Sequence, residues 1–349
     1  MDPLSQASFG ASLSQSFAQD RSRQLSALVI GALAGMAPDL DVFINSPEDP
    51  LVFLEYHRQF THSLVFIPFG AFICALVFYS LTRILPSRNQ LREPLPFSQI
   101  YLFSFLGYAT HGLLDACTSY GTQLFWPFSN HRFAWNMVSI IDPLFTLPVL
   151  ALIVLAVIRK NSRFARFAFA YATVYLCLGL VQYQRAEDAV QALATERGHV
   201  IERLHLKPSF ANRHVWKLMY EYDGRYYVDG VKLLWEVEVI PGTSIQKLDV
   251  RRDFPWLPAD SQQAIDIERF RWFSDGYLAV STRNENLVMD VRYSFLPNTM
   301  RSMWGVEVNR ELIEQGDETS HVNYVVTRDL DDRTTDRFIE MLFELQGIQ

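Results

Sequence analysis

"EYHRQFTHSLVFIPFGAFICALVFYSLTRI", residues 55–84, sets two histidines, an arginine and a glutamate against a long apolar run. A run of about 20 apolar residues is long enough to cross a bilayer. Titratable groups at its edge are costly unless something pairs with them. His57, Arg58 and His62 therefore call for partners, and the fold has to deliver them.

Working outward, residues 63–84, 97–114, 140–158 and 164–183 read as spans. The first apolar run, 25–37, is shorter than the roughly 20 residues a span needs. Extended back through Ser22 it crosses; otherwise it is a re-entrant or broken helix. Ahead of it, Asp2-Pro3 has the form of a helix start, with Asp as N-cap and Pro at the first helical position. Small and apolar residues then recur to Phe17, predicting a short amphipathic helix at the interface. The opening "MDPLSQASFG" lacks the basic and early apolar segments of a cleavable signal, so insertion is expected from the spans themselves.

After Tyr183 the text changes to ordinary globular sequence, and the net charge of −7 comes from that part. Nothing is basic enough to suggest nucleic acid. The three cysteines, Cys74, Cys117 and Cys177, all lie in or beside apolar runs, which leaves the globular part without a disulfide framework or zinc ribbon. Residues 184–197 read as a helix leaving the membrane. "HVWKLMYEYDGRYYVDGVKLLWEVEV" carries a hairpin signal at Asp223-Gly224. "FRWFSDGYLAVSTRNENLVMDVRYSF" reads as a second strand region, and 334–345 as a terminal helix. His199, His205, His214 and His321 are scattered and read as surface or satisfied core residues. The expected fold is an α-helical membrane domain of about five helical membrane segments, residues 1–184, followed by a soluble α+β domain, residues 185–349.

Orientation follows from basic residues in short loops. Arg21 and Arg23, then Arg83, Arg88 and Arg92, then Arg159, Lys160, Arg163 and Arg166 share one side, which is thereby cytoplasmic. Loops 39–62 and 115–139 and the C-terminal domain are expected on the other side.

The polar residues at span ends fall on that outer side. Asp39 and Asp41 follow the first run in "APDLD", His57 and His62 precede the second, and His111 and Asp115 end the third in "HGLLD". Simpler roles exist for several of them. Asp39 and Asp41 suit a turn and a solvated loop, Thr61 suits an N-cap with His62 merely interfacial, and Asp142-Pro143 suits a second helix start. His111 and Asp115 resist that treatment, because i, i+4 spacing puts both on one helix face inside an apolar segment. Imidazole nitrogen with carboxylate oxygen is the donor set of a divalent ion, zinc foremost, with manganese or iron(II) as alternatives. Asp39, Asp41, His57, His62, His111 and Asp115 together exceed the four ligands of a closed zinc site. Either two ions are held, or some carboxylates orient histidines instead. Arg58, between the two histidines, could clamp an anionic group or face lipid phosphates.

At these residues the chain resembles the YdjM-type family of bacterial inner-membrane proteins, to which a metal-dependent hydrolase activity is assigned by inference. The resemblance runs through "MDPLSQASFGASL", "GALAGMAPDLDVF", "HRQFTHSL", "GYATHGLLDACTSYGTQLFWPFS" and "IIDPLFT". It implies ligand roles for Asp39, Asp41, His57, His62, His111 and Asp115, and a place in the inner (cytoplasmic) membrane. The family pattern has a histidine near the N-terminus where this chain carries Gln6. The resemblance stops before the C-terminal domain.

Two function classes follow. One is a membrane-bound metal-dependent hydrolase acting at the outer headgroup level on an ester or phosphoester, with membrane lipid or a lipid-linked molecule as substrate. In it Asp39 or Asp41 serves as base and Arg58 as anion clamp. The other is a non-catalytic scaffold whose polar cluster ties span ends together while the C-terminal domain binds a protein partner. A transporter fits less well, because mid-span positions are apolar.

Overall fold

The computed structural model describes residues 1–84, 95–327 and 331–343. Arg88 and Arg92 of the orientation argument, and the end of the expected terminal helix, lie outside them. The chain divides into two compact units. The first comprises Met1–Phe43, Tyr56–Val181 and Phe210–Asn212, and the second Ile44–Glu55, Gln182–Ser209 and Arg213–Gln349.

The first unit is helical. Helix α1 (Pro3–Ser16) starts where Asp2 caps it, its carboxylate accepting from the backbone amides of Leu4 and Ser5. The expectation of an interfacial helix does not hold. Polar and small residues from nearly every face of α1, from Ser5 and Gln6 to Gln15 and Ser16, are buried. The reason is steric. A Cβ on Gly10 would lie 2.7 Å from the Gly31 carbonyl oxygen, and one on Gly107 would lie 2.3 Å from that same atom. Glycines at this crossing let α1, α2 (Gln24–Met36) and α5 (Phe97–Ala116) touch backbone to backbone.

Short 3-10 turns flank α2, so helical backbone runs without a break through Arg21–Phe43, long and apolar enough to cross a membrane. The run that looked too short thus gains its length from residues outside the apolar core. Leu64–Ile84, which contains α4 (Ile67–Ile84), and helix α7 (Ser162–Glu196) also qualify. Helix α6 (Pro143–Ile158) is apolar but shorter, and α5 carries polar residues throughout its length. Among the described residues three helices meet the length and composition of a span. Asp142 caps α6, accepting from the amides of Leu144 and Phe145, and takes a hydrogen bond from the Tyr175 hydroxyl. That is the helix-start role its Asp-Pro spacing predicts.

The expected helix over 184–197 is the continuation of α7, because no proline interrupts the 35 residues of that helix. In the second unit Ala186, Val190 and Ala194 of α7 pack on Leu206, Trp216, Leu218, Tyr220 and Val231. Those residues come from a four-stranded antiparallel meander, β1 (Arg203–Pro208), β2 (Val215–Tyr222), β3 (Arg225–Leu233) and β4 (Val237–Gln246). Asp223 and Gly224 join β2 to β3 with φ of 49° and 67°, the two-residue turn their sequence specifies.

A second antiparallel sheet contains β5 (Leu278–Val280), β6 (Leu287–Asp290), β7 (Trp304–Glu307) and β8 (Asn323–Val326). Between the two sheets in sequence lie α8 (Val250–Asp253) and α9 (Gln262–Phe273). Phe270, Trp272 and Phe273 suit a strand by local preference, but they close α9, whose start is capped by Ser261. Helices α10 (Arg310–Glu314) and α11 (Asp332–Phe343) complete the unit. The segment Ile44–Glu55, which contains all but the last residue of α3 (Val52–Tyr56), also belongs here. From α9, Arg269 reaches the carboxylates of Asp49 at 2.8 Å, Glu55 at 2.6 Å and Asp266 at 2.9 Å.

Candidate metal centre

The site is built from three pieces of the first unit. The first is the 3-10 turn Ala37–Phe43, opened by Pro38 at the end of α2. With about three residues per turn, residues two apart point in different directions. Asp39 and Asp41 consequently face different partners. Asp39 Oδ1 lies 3.4 Å from His62 Nε2 and 3.3 Å from His111 Nε2. Asp41 is buried and fully engaged. Its Oδ1 lies 2.7 Å from His57 Nδ1, while its Oδ2 accepts from the Arg58 amide and the Thr61 hydroxyl, both at 2.9 Å, and lies 3.2 Å from His62 Nδ1.

The second piece is the turn from His57 to His62, where Arg58 takes a φ of 63°. Left-handed backbone at a non-glycine residue costs of order 1–3 kcal/mol unless its surroundings hold it. Two contacts do so here: the Arg58 amide donates to Asp41, and its carbonyl accepts from the Gln123 amide at 2.9 Å. Thr61, expected as an N-cap of the second span, is instead part of this turn, since α4 begins only at Ile67.

The third piece is the end of α5, with His111 and Asp115 on one face. The α5 backbone can approach the turn because residue 112 is glycine. A Cβ there would stand 2.2 Å from the His62 carbonyl oxygen.

Four donors converge where these pieces meet. His62 Nε2 and His111 Nε2 are 2.9 Å apart, and Asp115 Oδ2 lies 3.3 Å and 3.6 Å from them. With Asp39 Oδ1 they all fall within 4.8 Å of one another. Donors about 2.1 Å from a shared ion stand about 3.4 Å apart in a tetrahedron, so the spacing suits a first-row divalent metal. Hydrogen bonding fixes the lone pairs. His111 Nδ1 faces the Gly35 carbonyl oxygen at 2.5 Å, and His62 Nδ1 faces the Asp41 carboxylate at 3.2 Å and the Thr61 hydroxyl oxygen at 3.0 Å, whose own proton goes to Asp41. Both Nδ1 atoms are therefore donors, which turns both Nε2 lone pairs inward. Asp115 Oδ2 is buried and makes no aligned hydrogen bond, although Arg58 Nε lies 3.0 Å from it as a counter-charge. Two imidazole lone pairs 2.9 Å apart require a proton or a metal ion between them. Burial opposes charge on His62, but Asp115, Asp39 and Asp41 outweigh it and push its pKa up to about 10. A proton thus answers the same need a metal would.

His57, half-buried, forms a separate group with Asp39 and Asp41, and its ring meets Tyr120 edge-on. Arg58, read from sequence as an anion clamp, is only 3% exposed. Its Nε is 3.0 Å from Asp115 Oδ2, its Nη1 donates to the Thr118 hydroxyl at 3.1 Å, and it stacks over Tyr120. Asp115 Oδ1 accepts from Gln6 Nε2 at 2.8 Å and from the amino group of Met1. Gln6 thus touches the site through Asp115. The sequence carried no sign of the Gly35 carbonyl, but Thr118 and Tyr120 lie in the stretch "CTSYG" quoted above.

Apolar helices around a buried His/Asp cluster of ligand geometry define a membrane protein with a candidate metal centre. The chain belongs to the YdjM inner membrane protein family, whose pattern matches residues 1–186. It is 33% identical over 129 residues to the uncharacterized protein YfhP of Bacillus subtilis (strain 168), a match covering 36% of each chain. The chain thus spans about a third of that relative's length. No solved structure matches it.

Proposed function

We propose that this protein is a membrane-bound metal-dependent hydrolase acting on an ester or phosphoester, with a lipid or lipid-linked substrate at the outer membrane–water interface. The observation that carries the reading is the inward convergence of the His62 and His111 Nε2 lone pairs with the Asp39 and Asp115 carboxylates. These four residues would hold a divalent ion, zinc foremost, which when bound supplies Lewis acidity and a water of lowered pKa. Of the four, only Asp39 is open, its side chain 30% exposed while the others are at 0%. Asp39 is therefore the carboxylate placed to take a proton from an incoming water. Asp41 acts by orienting His57 and His62. Arg58 balances the charge of Asp115.

About five membrane segments, with α5 and α6 completing the three longer spans, and an extracytoplasmic C-terminal domain belong to the same proposal. The basic residues flanking the spans support that orientation. A reporter active only in the cytoplasm, fused after Gln349, should be silent.

A second reading draws on one observation. Four protein donors lie within 4.8 Å of one another, the number that would close a structural zinc site. In that reading the ion ties the span ends together, and the C-terminal domain serves a partner. Metal analysis of detergent-purified protein, wild type beside His111→Ala, tests the centre itself. Full metal content in the variant overturns both readings. Metal loss together with loss of phosphoester hydrolysis supports the enzyme, whereas a wild type that holds metal and hydrolyses no ester supports the structural tie.

A further inference from the structure

The C-terminal domain holds an unbalanced group of cations between its two sheets. On β1 and β2, Lys207 and Lys217 are directly opposed across the ladder. Like charges in that register are destabilising unless something lies between or beside them. Lys217 is 1% exposed, and its Nζ donates to the Ser294 hydroxyl at 2.8 Å and the Thr299 carbonyl at 2.9 Å. Neither partner carries charge. Lys207 stands over the Tyr293 ring with Nζ 4.7 Å from its centroid, and the Arg292 guanidinium lies 5.2 Å from the same centroid.

Asp290 is the carboxylate that acts on both lysines, and it is already committed. Arg292 takes both of its oxygens, Nε to Oδ1 at 2.9 Å and Nη2 to Oδ2 at 2.7 Å. Four residues back along β1, where Arg203 faces Glu221, the charges balance, with Arg203 on Asp275 and Lys247 on Glu221. The row at Lys207 and Lys217 is different. Three basic side chains and one carboxylate leave a formal excess of two positive charges in a buried place, where burial, with Lys207 adding to it against Asp290, holds Lys217 well below its usual value until an anion pairs with it. A third donor is also available: His205, 9% exposed, lies two residues from Lys207 on the same face, and its Nε2 has no partner.

Burying unpaired charge costs several kcal/mol per ion, so such a group persists where a counter-charge completes it. We propose that this inter-sheet face is a binding site for a dianionic phosphate group, held by Lys207, Lys217 and the Nε2–H of His205. Two excess charges match a phosphate monoester, and its oxygens accept from ammonium and imidazole N–H alike. Lys207 is only partly buried and marks the side from which the anion enters. The ionisation of the group agrees with an absent counter-ion. Burial, with Arg292 adding to it against Asp290, pushes Lys207 down to about 8. Burial and then Arg292, Lys207 and Lys217 hold His205 well below its usual value. The phosphate could come from free solution or from a phosphomonoester lipid headgroup, and the experiment separates the two.

Full-length protein in a neutral detergent is unfolded thermally while inorganic phosphate is titrated against sodium chloride at matched ionic strength. The wild-type transition should rise saturably by several degrees with phosphate and not with chloride. Lys207→Met, at the rim, and Lys217→Met should each lose that rise; if the second does not fold, the first decides alone. The rise should survive in His111→Ala, so failure at the metal centre and failure here are separable. In a second arm the protein is placed in nanodiscs of phosphatidylcholine with or without phosphatidate. A phosphatidate-dependent rise that Lys207→Met abolishes, with none from inorganic phosphate, assigns the site to the headgroup. No specific rise in either arm, or a rise that Lys207→Met retains, overturns the proposal.

Discussion

His62 and His111 place their Nε2 atoms 2.9 Å apart while Asp41 and Gly35 hold the opposite nitrogens. Two lone pairs cannot stay in contact bare. Without metal a proton lies between them, and an arriving ion must displace it. Zinc titration of chelator-treated protein should therefore release about one proton per ion near neutral pH. Calorimetry in two buffers of different ionisation enthalpy reads this directly. Identical heats in both buffers would mean that the ion binds elsewhere.

Asp115 separates ligand from cap. Read as a cap, Asp115→Asn would cost ~1 kcal/mol. The buried pairing of Arg58 Nε with Asp115 Oδ2 raises that expectation, because the variant strands Arg58 without a counter-charge. Breaking such a pair typically costs about 3–5 kcal/mol. The double variant Arg58→Met with Asp115→Asn should recover much of that loss while metal content stays low. Metal per chain and thermal midpoint, measured on one preparation of each variant, test it. Retained metal in either variant removes Asp115 from the centre.

How far the sequence reaches can be seen residue by residue. His111 and Asp115 are legible because charge inside an apolar helix is costly, and that cost is visible in one dimension. The β2–β3 hairpin is legible because Asp-Gly suits the positive φ of its turn. The burial of α1 was missed because its serines and glycines look indifferent as a list; only the crossing of Gly10 with Gly31 and Gly107 gives them a use. Helix α9 was missed in part because aromatics such as Phe270 and Trp272 favour strands locally, and packing overrides that preference. Ile44–Glu55 groups with the C-terminal unit, where Arg269, over two hundred residues away, pairs with Asp49 and Glu55, and no local pattern encodes that.

Gly112→Ala turns an ordinary gain into a loss. In an exposed helix the change is worth about 0.8–1.0 kcal/mol in favour of alanine. Here the added Cβ meets the His62 carbonyl oxygen at 2.2 Å, so either the turn or α5 must move. That movement separates the two Nε2 atoms. The variant should melt earlier and bind metal at least ~10-fold more weakly. Gly198→Ala, where no atom lies within 4 Å of the new Cβ but φ is +71°, serves as a control for backbone strain alone and should leave metal affinity unchanged. Equal metal binding in wild type and Gly112→Ala would show that the close approach does not position His62.

Lys207 gives the C-terminal domain a pH dependence of defined sign. Burial and the neighbouring Arg292 depress its folded-state pKa from 10.5 to about 8, although Asp290 pulls the other way. Between those values the unfolded chain holds a proton that the folded chain has released. Stability must then rise with pH across that window. Below pH 8 the ammonium is present in both states, and its burial cost is fully felt. In phosphate-free buffer the transition of the full-length protein should climb between pH 8 and pH 10, and Lys207→Met should flatten the climb. The variant should also be the more stable of the two near pH 7, because it removes one of two opposed lysines. Tyrosines and cysteines titrate toward the top of the same range, so the difference between wild type and variant is the quantity to read. Parallel curves would show that Lys207 is solvated in the folded protein, and the excess charge beside Lys217 would then be smaller than the geometry implies.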